Sequence, residues 1–187
     1  LDGSRCRTGD VLVGLRSSGL HTNGYSLARK VILGDAETQR RGDAAKRLGN
    51  RLAEGQTLGE ALLEPHRSYL TPVQAALKTG AVHGLTHITG GGFFKNLPRV
   101  VKAPLSSRVD VRSWNVPPIF RLIQARGRVP AGEMYSVYNM GMGMILAVSP
   151  DGAGRVLSAL KRAGEEPVVV GEIRRKGPPV VLEGLAG

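Results

Sequence analysis

Between Ser17 and Asn23 the chain reads SSGLHTN: Ser17, Ser18, Gly19, Leu20, His21, Thr22 and Asn23. Such a run of short polar groups suits the binding of a phosphate or another oxyanion. Backbone N–H groups at a helix start are unpaired and carry positive dipole character. Glycine lets an anion approach them closely, and histidine can exchange a proton near neutral pH. Ser, Thr and Asn are also the residues that cap a helix, so ordinary capping explains the same letters. A second stretch, Thr89-Gly90-Gly91-Gly92, follows His87 and Ile88 and repeats the logic with three bare glycines. It meets the spacing of neither a Walker A loop nor a dinucleotide fingerprint. Three glycines also suit a tight turn with positive φ, and His87, between apolar neighbours, reads by itself as a core histidine. In a third stretch, Tyr138 to Met144, Met and Gly alternate at strand spacing. Met140, Met142 and Met144 then share one face, and Asn139, Gly141 and Gly143 the other. The reading is either a packed methionine face or a bare glycine face that admits a ligand or a neighbouring backbone, with Asn139 at its edge.

Other chemistries find less support. His21, His66, His83 and His87 have no ligand-like spacing with carboxylates, so no metal set is expected. Ser17 and Ser18 near His21 lack the G-x-S-x-G context of a hydrolase nucleophile. Cys6 is the single cysteine, which excludes an internal disulfide or a zinc knuckle and makes a cytoplasmic location the default. The net charge of +11 suits a solvated basic surface first, and anionic partners second. The basic residues from Arg40 to Arg51 are interrupted and have no aromatic rings among them, so a nucleic-acid platform is not expected. No apolar run approaches a membrane span of about 20 residues, and no signal peptide is seen. The chain starts at Leu1 without Met, as a fragment or a processed chain would.

The elements that must position these groups are read from periodicity. Val11–Leu15 is a buried strand, and Asn23 opens a helix that places Tyr25, Leu27, Ala28, Val31 and Ile32 on one side. Residues 34–55 form a weak surface helix or a loop. Thr57 and Glu60 make a capping box, and Thr71-Pro72 starts a further helix. Strands are expected over 85–89, 108–111, 143–148, 168–173 and 180–182, and helices over 93–101, 119–125 and 151–163, the last capped by Ser149. One domain over residues 1–187, a layered α/β sandwich around a mixed β-sheet, follows from this mixture.

Taken together, residues 9–30 (GDVLVGLRSSGLHTNGYSLARK), 62–69 (LLEPHRSY), 87–100 (HITGGGFFKNLPRV) and 133–145 (EMYSVYNMGMGMI) resemble the aminoimidazole ribonucleotide synthetase (phosphoribosylformylglycinamidine cyclo-ligase) family of purine biosynthesis. They stand in the family's order and cover essentially the whole chain, but only the family's C-terminal half. The resemblance implies an α+β fold. It implies an ATP-dependent ligase that converts formylglycinamidine ribonucleotide to aminoimidazole ribonucleotide and releases ADP and phosphate. It also implies Mg²⁺ with the nucleotide, both bound mainly by an N-terminal half outside this chain, and a homodimer at full length. Position by position it makes His21 the candidate for proton transfer or phosphate contact. Ser17, Ser18, Gly19, Thr22, Asn23, Thr89, Gly90, Gly91, Gly92 and Asn139 become the substrate- or phosphate-binding candidates. The isolated chain is expected to be inactive. Alternatives are a relative in the same superfamily (formylglycinamidine ribonucleotide synthase, selenophosphate synthetase, thiamine-phosphate kinase or a hydrogenase maturation factor) or a non-catalytic basic binding domain.

Overall fold

The computed structural model describes residues 1–34, 41–53 and 55–185. The helices are α1 (Tyr25–Leu33), α2 (Arg41–Leu48), α3 (Leu58–Leu63), α4 (Leu70–Leu77), α5 (Gly92–Asn96), α6 (Pro118–Gly127), α7 (Ala131–Val137) and α8 (Ala153–Arg162). The strands are β1 (Val11–Arg16), β2 (Val82–His87), β3 (Ser106–Asp110), β4 (Met142–Val148), β5 (Val168–Arg174) and β6 (Val180–Glu183). They form one sheet in the order β2-β4-β1-β5-β3-β6. All its pairings are antiparallel except β3 with β6, so the sheet is mixed, as expected.

Helices cover both faces, which explains why β4 is buried along its whole length. On one face Val13, Leu15, Leu146 and Val148 pack with Ala76 of α4 and with Val156 and Leu160 of α8. On the other, Leu12, Ile145 and Ala147 join Ile32 of α1, Phe93 of α5, Ile123 of α6 and Met134 of α7. Burying this aliphatic surface at about 25 cal/mol per Å² is the main force holding the layers together.

Several local expectations change. Gly24, not a hydroxyl side chain, stands at the start of α1, and no side chain caps that helix. Gly24 is left-handed at φ 74°, and a Cβ there would collide with the Tyr138 ring. Ser17, Ser18, Thr22 and Asn23 therefore are not caps. Thr71 does not cap α4 either; the helix starts two residues before Pro72, at Leu70, whose N–H reaches Ser68 Oγ at 3.3 Å. Strand β2 begins at Val82, through an irregularity in its pairing with β4, and stops at His87 rather than Thr89. Asn96 draws the carbonyls of Thr89 and Gly90 to its Nδ2, which turns the chain out of the sheet. Helix α7 was not expected. Met140 and Gly141 have positive φ, so β4 starts only at Met142 and the shared methionine face is lost. Met142 and Met144 pack into opposite layers. Ser149 caps nothing; a short 3₁₀ turn over Pro150–Gly152 leads into α8. The helix expected over 93–101 is α5 followed by a 3₁₀ turn that absorbs Pro98.

Other expectations hold. Thr57 and Glu60 form the capping box, with Glu60 N–H donating to Thr57 Oγ1 at 3.2 Å and Thr57 N–H to Glu60 Oε2 at 2.7 Å. The basic segment carries α2, while residues 35–40 and 54 of it lie outside the described residues.

Candidate functional site

β1 ends at Arg16 where its neighbour β4 begins, so the loop leaving one strand runs beside the segment entering the other. Asn139 ties them together. Its buried Oδ1 accepts from Ser17 Oγ at 2.8 Å and from Gly141 N–H at 2.8 Å, and its Nδ2 donates to the Gly19 carbonyl at 2.9 Å. Ser17 thus gives its hydroxyl proton to Asn139, and Ser18 gives its own to the Pro65 carbonyl at 2.7 Å. Neither hydroxyl has a hydrogen left for a ligand; both can accept one. His21 and Met140, on either side of this network, hold left-handed backbone at φ 56° and 50°. Such conformations cost about 1–3 kcal/mol for non-glycine residues and concentrate at functional sites.

His21 is 3% exposed. Its Nε2 lies 3.2 Å from the Ser18 backbone nitrogen, an obligate donor, so Nε2 is the acceptor. The proton of the neutral ring therefore sits on Nδ1, which is buried and has no partner. Burial first, then His66, His87 and Arg67, lowers the His21 pKa to about 3. The ring is neutral at physiological pH and is a hydrogen-bond donor through Nδ1, not an acid.

Two further segments close around it. The connection between α3 and α4 is strapped to the end of β1, where the Arg16 carbonyl accepts from Tyr69 Oη at 2.8 Å and from Arg67 at 3.4 Å. Arg67 also pairs with the buried Glu165. This strap lays His66 on His21, ring centroids 4.0 Å apart and planes 14° apart. From the end of β2, His87 comes within 4.9 Å of His66, centroid to centroid. His87 Nε2 is buried and unpartnered, and burial followed by His66 lowers its pKa. Gly143 makes the room: a Cβ there would overlap the Tyr69 hydroxyl and stand 2.8 Å from His21 Cε1. The glycine face of β4 therefore admits the protein's own rings.

The glycine loop adjoins this cluster. Asn96 Nδ2 gathers the carbonyls of Thr89, Gly90 and Gly92, and its Oδ1 accepts from Thr89 Oγ1 at 3.2 Å. The N–H groups of Gly90 and Gly91 have no partner among the described residues. A Cβ on Gly90 would lie 3.2 Å from Asn23 Oδ1, so the two loops singled out in the sequence meet. Thr22 is exposed beside them. Ser17, Ser18 and Gly19 face the other way as well, lining a cavity of about 210 Å³ with Gln56, Pro117 and Pro118. His21, Asn139 and the glycine loop are not among its lining residues.

His66, Tyr69 and Asn96 lie in the family-like segments 62–69 and 87–100, but no role was expected of them. Histidine spacing suggested no metal set, yet the fold brings one nitrogen each of His21, His66 and His87 within 4.8 Å of the others. His83 stays apart, bound to Asp10 Oδ2 at 2.8 Å. No described helix is long and apolar enough to cross a membrane.

The chain is similar to the phosphoribosylformylglycinamidine cyclo-ligase of Bacillus subtilis, with 42% identity over 184 residues, 98% of this chain and 51% of that protein. The cyclo-ligase of Shouchella clausii is 43% identical over 173 residues, 92% of this chain and 48% of its own length. The chain thus spans about half the length of the curated relatives it matches. Among solved structures, the thiamine-monophosphate kinase of Stenotrophomonas maltophilia superposes on all of this chain and 54% of its own, with a TM-score of 0.59 and 16% identity. Escherichia coli HypE, a hydrogenase maturation protein, covers 99% of this chain and 49% of its own at a TM-score of 0.55 and 24% identity. These two likenesses show the fold alone. The profile described as AIR synthase related protein, C-terminal domain, matches residues 7–182, and the chain belongs to that family.

Proposed function

We propose that the chain is the C-terminal half of a phosphoribosylformylglycinamidine cyclo-ligase, which closes formylglycinamidine ribonucleotide to aminoimidazole ribonucleotide at the expense of ATP. The observation that carries this reading is the 42% identity with the Bacillus subtilis cyclo-ligase across 98% of the chain. In this reading ATP and Mg²⁺ are bound mainly by an N-terminal half outside residues 1–187, and the full-length protein is a homodimer. The histidine set supports that division, because Mg²⁺ takes hard oxygen ligands and three imidazoles do not fit it.

Within the site, His21 supplies a fixed neutral donor, Nδ1–H, toward an oxygen of the substrate. A preorganised donor aimed at developing negative charge is the kind of group that stabilises a transition state. Asn139 positions it by holding the Ser17–Gly19 backbone. Ser17 and Ser18 act as acceptors, and the unpaired N–H groups of Gly90 and Gly91, near Asn23 and Thr22, take a phosphate or phosphoryl oxygen. Gly92 and Thr89 shape that turn.

Thermal denaturation of the purified chain tests the reading. Formylglycinamidine ribonucleotide is expected to raise the melting temperature, and the chain alone is expected not to turn it over. Stabilisation by nucleic acid alone, steeply lost with salt, would instead favour a basic binding domain.

A further inference from the structure

His21, His66 and His87 come from three separate segments: the loop after β1, the α3–α4 connection and the end of β2. One nitrogen from each ring lies within 4.8 Å of the other two. Two of the rings carry a buried nitrogen with no partner, Nδ1 of His21 and Nε2 of His87. Buried polar atoms are nearly always satisfied, so two orphans in one cluster point to a missing occupant. We propose that the three histidines bind a borderline divalent transition-metal ion of the Zn²⁺ type, with a fourth position open to solvent beside the exposed His66.

The donor chemistry selects the ion. Imidazole suits Zn²⁺, Ni²⁺ and Cu²⁺, whereas carboxylate and water suit Mg²⁺ and Ca²⁺. Three histidines with one open position make a tetrahedral arrangement, with Zn–N of about 2.0–2.1 Å and therefore ligand nitrogens about 3.3 Å apart. The rings must draw together, and His66 provides the movement. It is exposed and belongs to residues 64–69, which form no helix or strand. It also has to leave its stack on His21, because an ion must lie in the plane of each ring that binds it. At His21 the ion takes Nδ1, the nitrogen that in the proposed function donates to substrate, so metal and substrate exclude one another there; the displaced proton moves to Nε2. The Ser18 contact, already long at 3.2 Å, then opens. The ring stays neutral throughout, so that ligand releases no net proton. Arg67, whose charge acts on His21, is held by Glu165 and the Arg16 carbonyl.

Calorimetric titration of the intact chain with Zn²⁺, and Co²⁺ absorption in the visible range, test the proposal without any nucleotide. Its outcome is therefore separate from that of the cyclo-ligase reading. The expected result is one Zn²⁺ per chain, tetrahedral Co²⁺ bands, no heat with Mg²⁺, and at least tenfold weaker Zn²⁺ binding in His66→Ala. His66 is exposed, so that variant keeps its fold. Cys6→Ser is expected to bind Zn²⁺ as the parent does. Absence of Zn²⁺ binding, affinity unchanged in His66→Ala, or affinity lost in Cys6→Ser would each overturn it.

Discussion

Ser18 donates its backbone N–H to Nε2 of His21 at 3.2 Å, and this bond sets the tautomer of a buried imidazole. It leaves the only ring proton on Nδ1, which has no partner in the protein. Nitrogen-15 spectra of the imidazoles read this directly. His21 is expected to give a protonated Nδ1 and an unprotonated Nε2 at neutral pH. A protonated Nε2 would contradict the assignment.

Acid stability follows from the same burial. The folded-state pKa of His21 is about 3 and that of His87 is also lowered, against about 6.5 in an unfolded chain. Below pH ~6.5 the unfolded state takes up protons that the folded state refuses, so it gains relative to the folded one. Stability is complete above that pH and falls as pH drops toward 3, by about 1.4 kcal/mol per unit for His21, and His87 adds a loss of the same sign. Urea midpoints across the acid range should show a shallower slope in His21→Gln than in the parent. Equal slopes would rule out the proton linkage.

Asn139 makes three hydrogen bonds that join the two strand ends. Asn139→Leu leaves the Gly19 carbonyl, the Gly141 N–H and Ser17 unpaired, and the expected loss is about 3 kcal/mol of unfolding free energy. Denaturant unfolding measures it. A change below about 0.5 kcal/mol, the range of neutral surface substitutions, would show that the network holds nothing in place.

Gly143 gives its missing side chain's space to Tyr69 and His21. Gly143→Ala is expected to displace the Tyr69 hydroxyl from the Arg16 carbonyl and cost about 1–3 kcal/mol, the usual range for overpacking. The His21 imidazole signals should shift in the same variant. Parent-like signals and stability would mean that the rings do not depend on this glycine.

Much of the fold was legible because fully buried strands announce themselves as apolar runs. VLVGL and GMILAV lie within β1 and β4, and Val168–Ile173 lies within β5. The Thr57 capping box was legible because its two bonds are local. Helix α7 was hidden because AGEMYSV is short and shows no clear helical period. The hydroxyls before α1 misled, since capping and loop-binding use the same residue types. At the site, His21 and Asn139 stood out by their setting, but His66 did not. Its approach to His21 depends on the strap from Tyr69 and Arg67 to Arg16, a tertiary contact that no spacing within one element encodes.

In the proposed function His21 is the neutral donor of a ring-closing site. The most direct test is the rate of aminoimidazole ribonucleotide formation by the native gene product containing this chain, compared with its His21→Ala variant. ATP-dependent ring closure by the parent protein is expected, with kcat lowered about 100- to 1,000-fold in the variant, as for loss of one oxyanion donor, and the fold retained. No ring closure by the parent, or a variant kcat equal to the parent's, would contradict it.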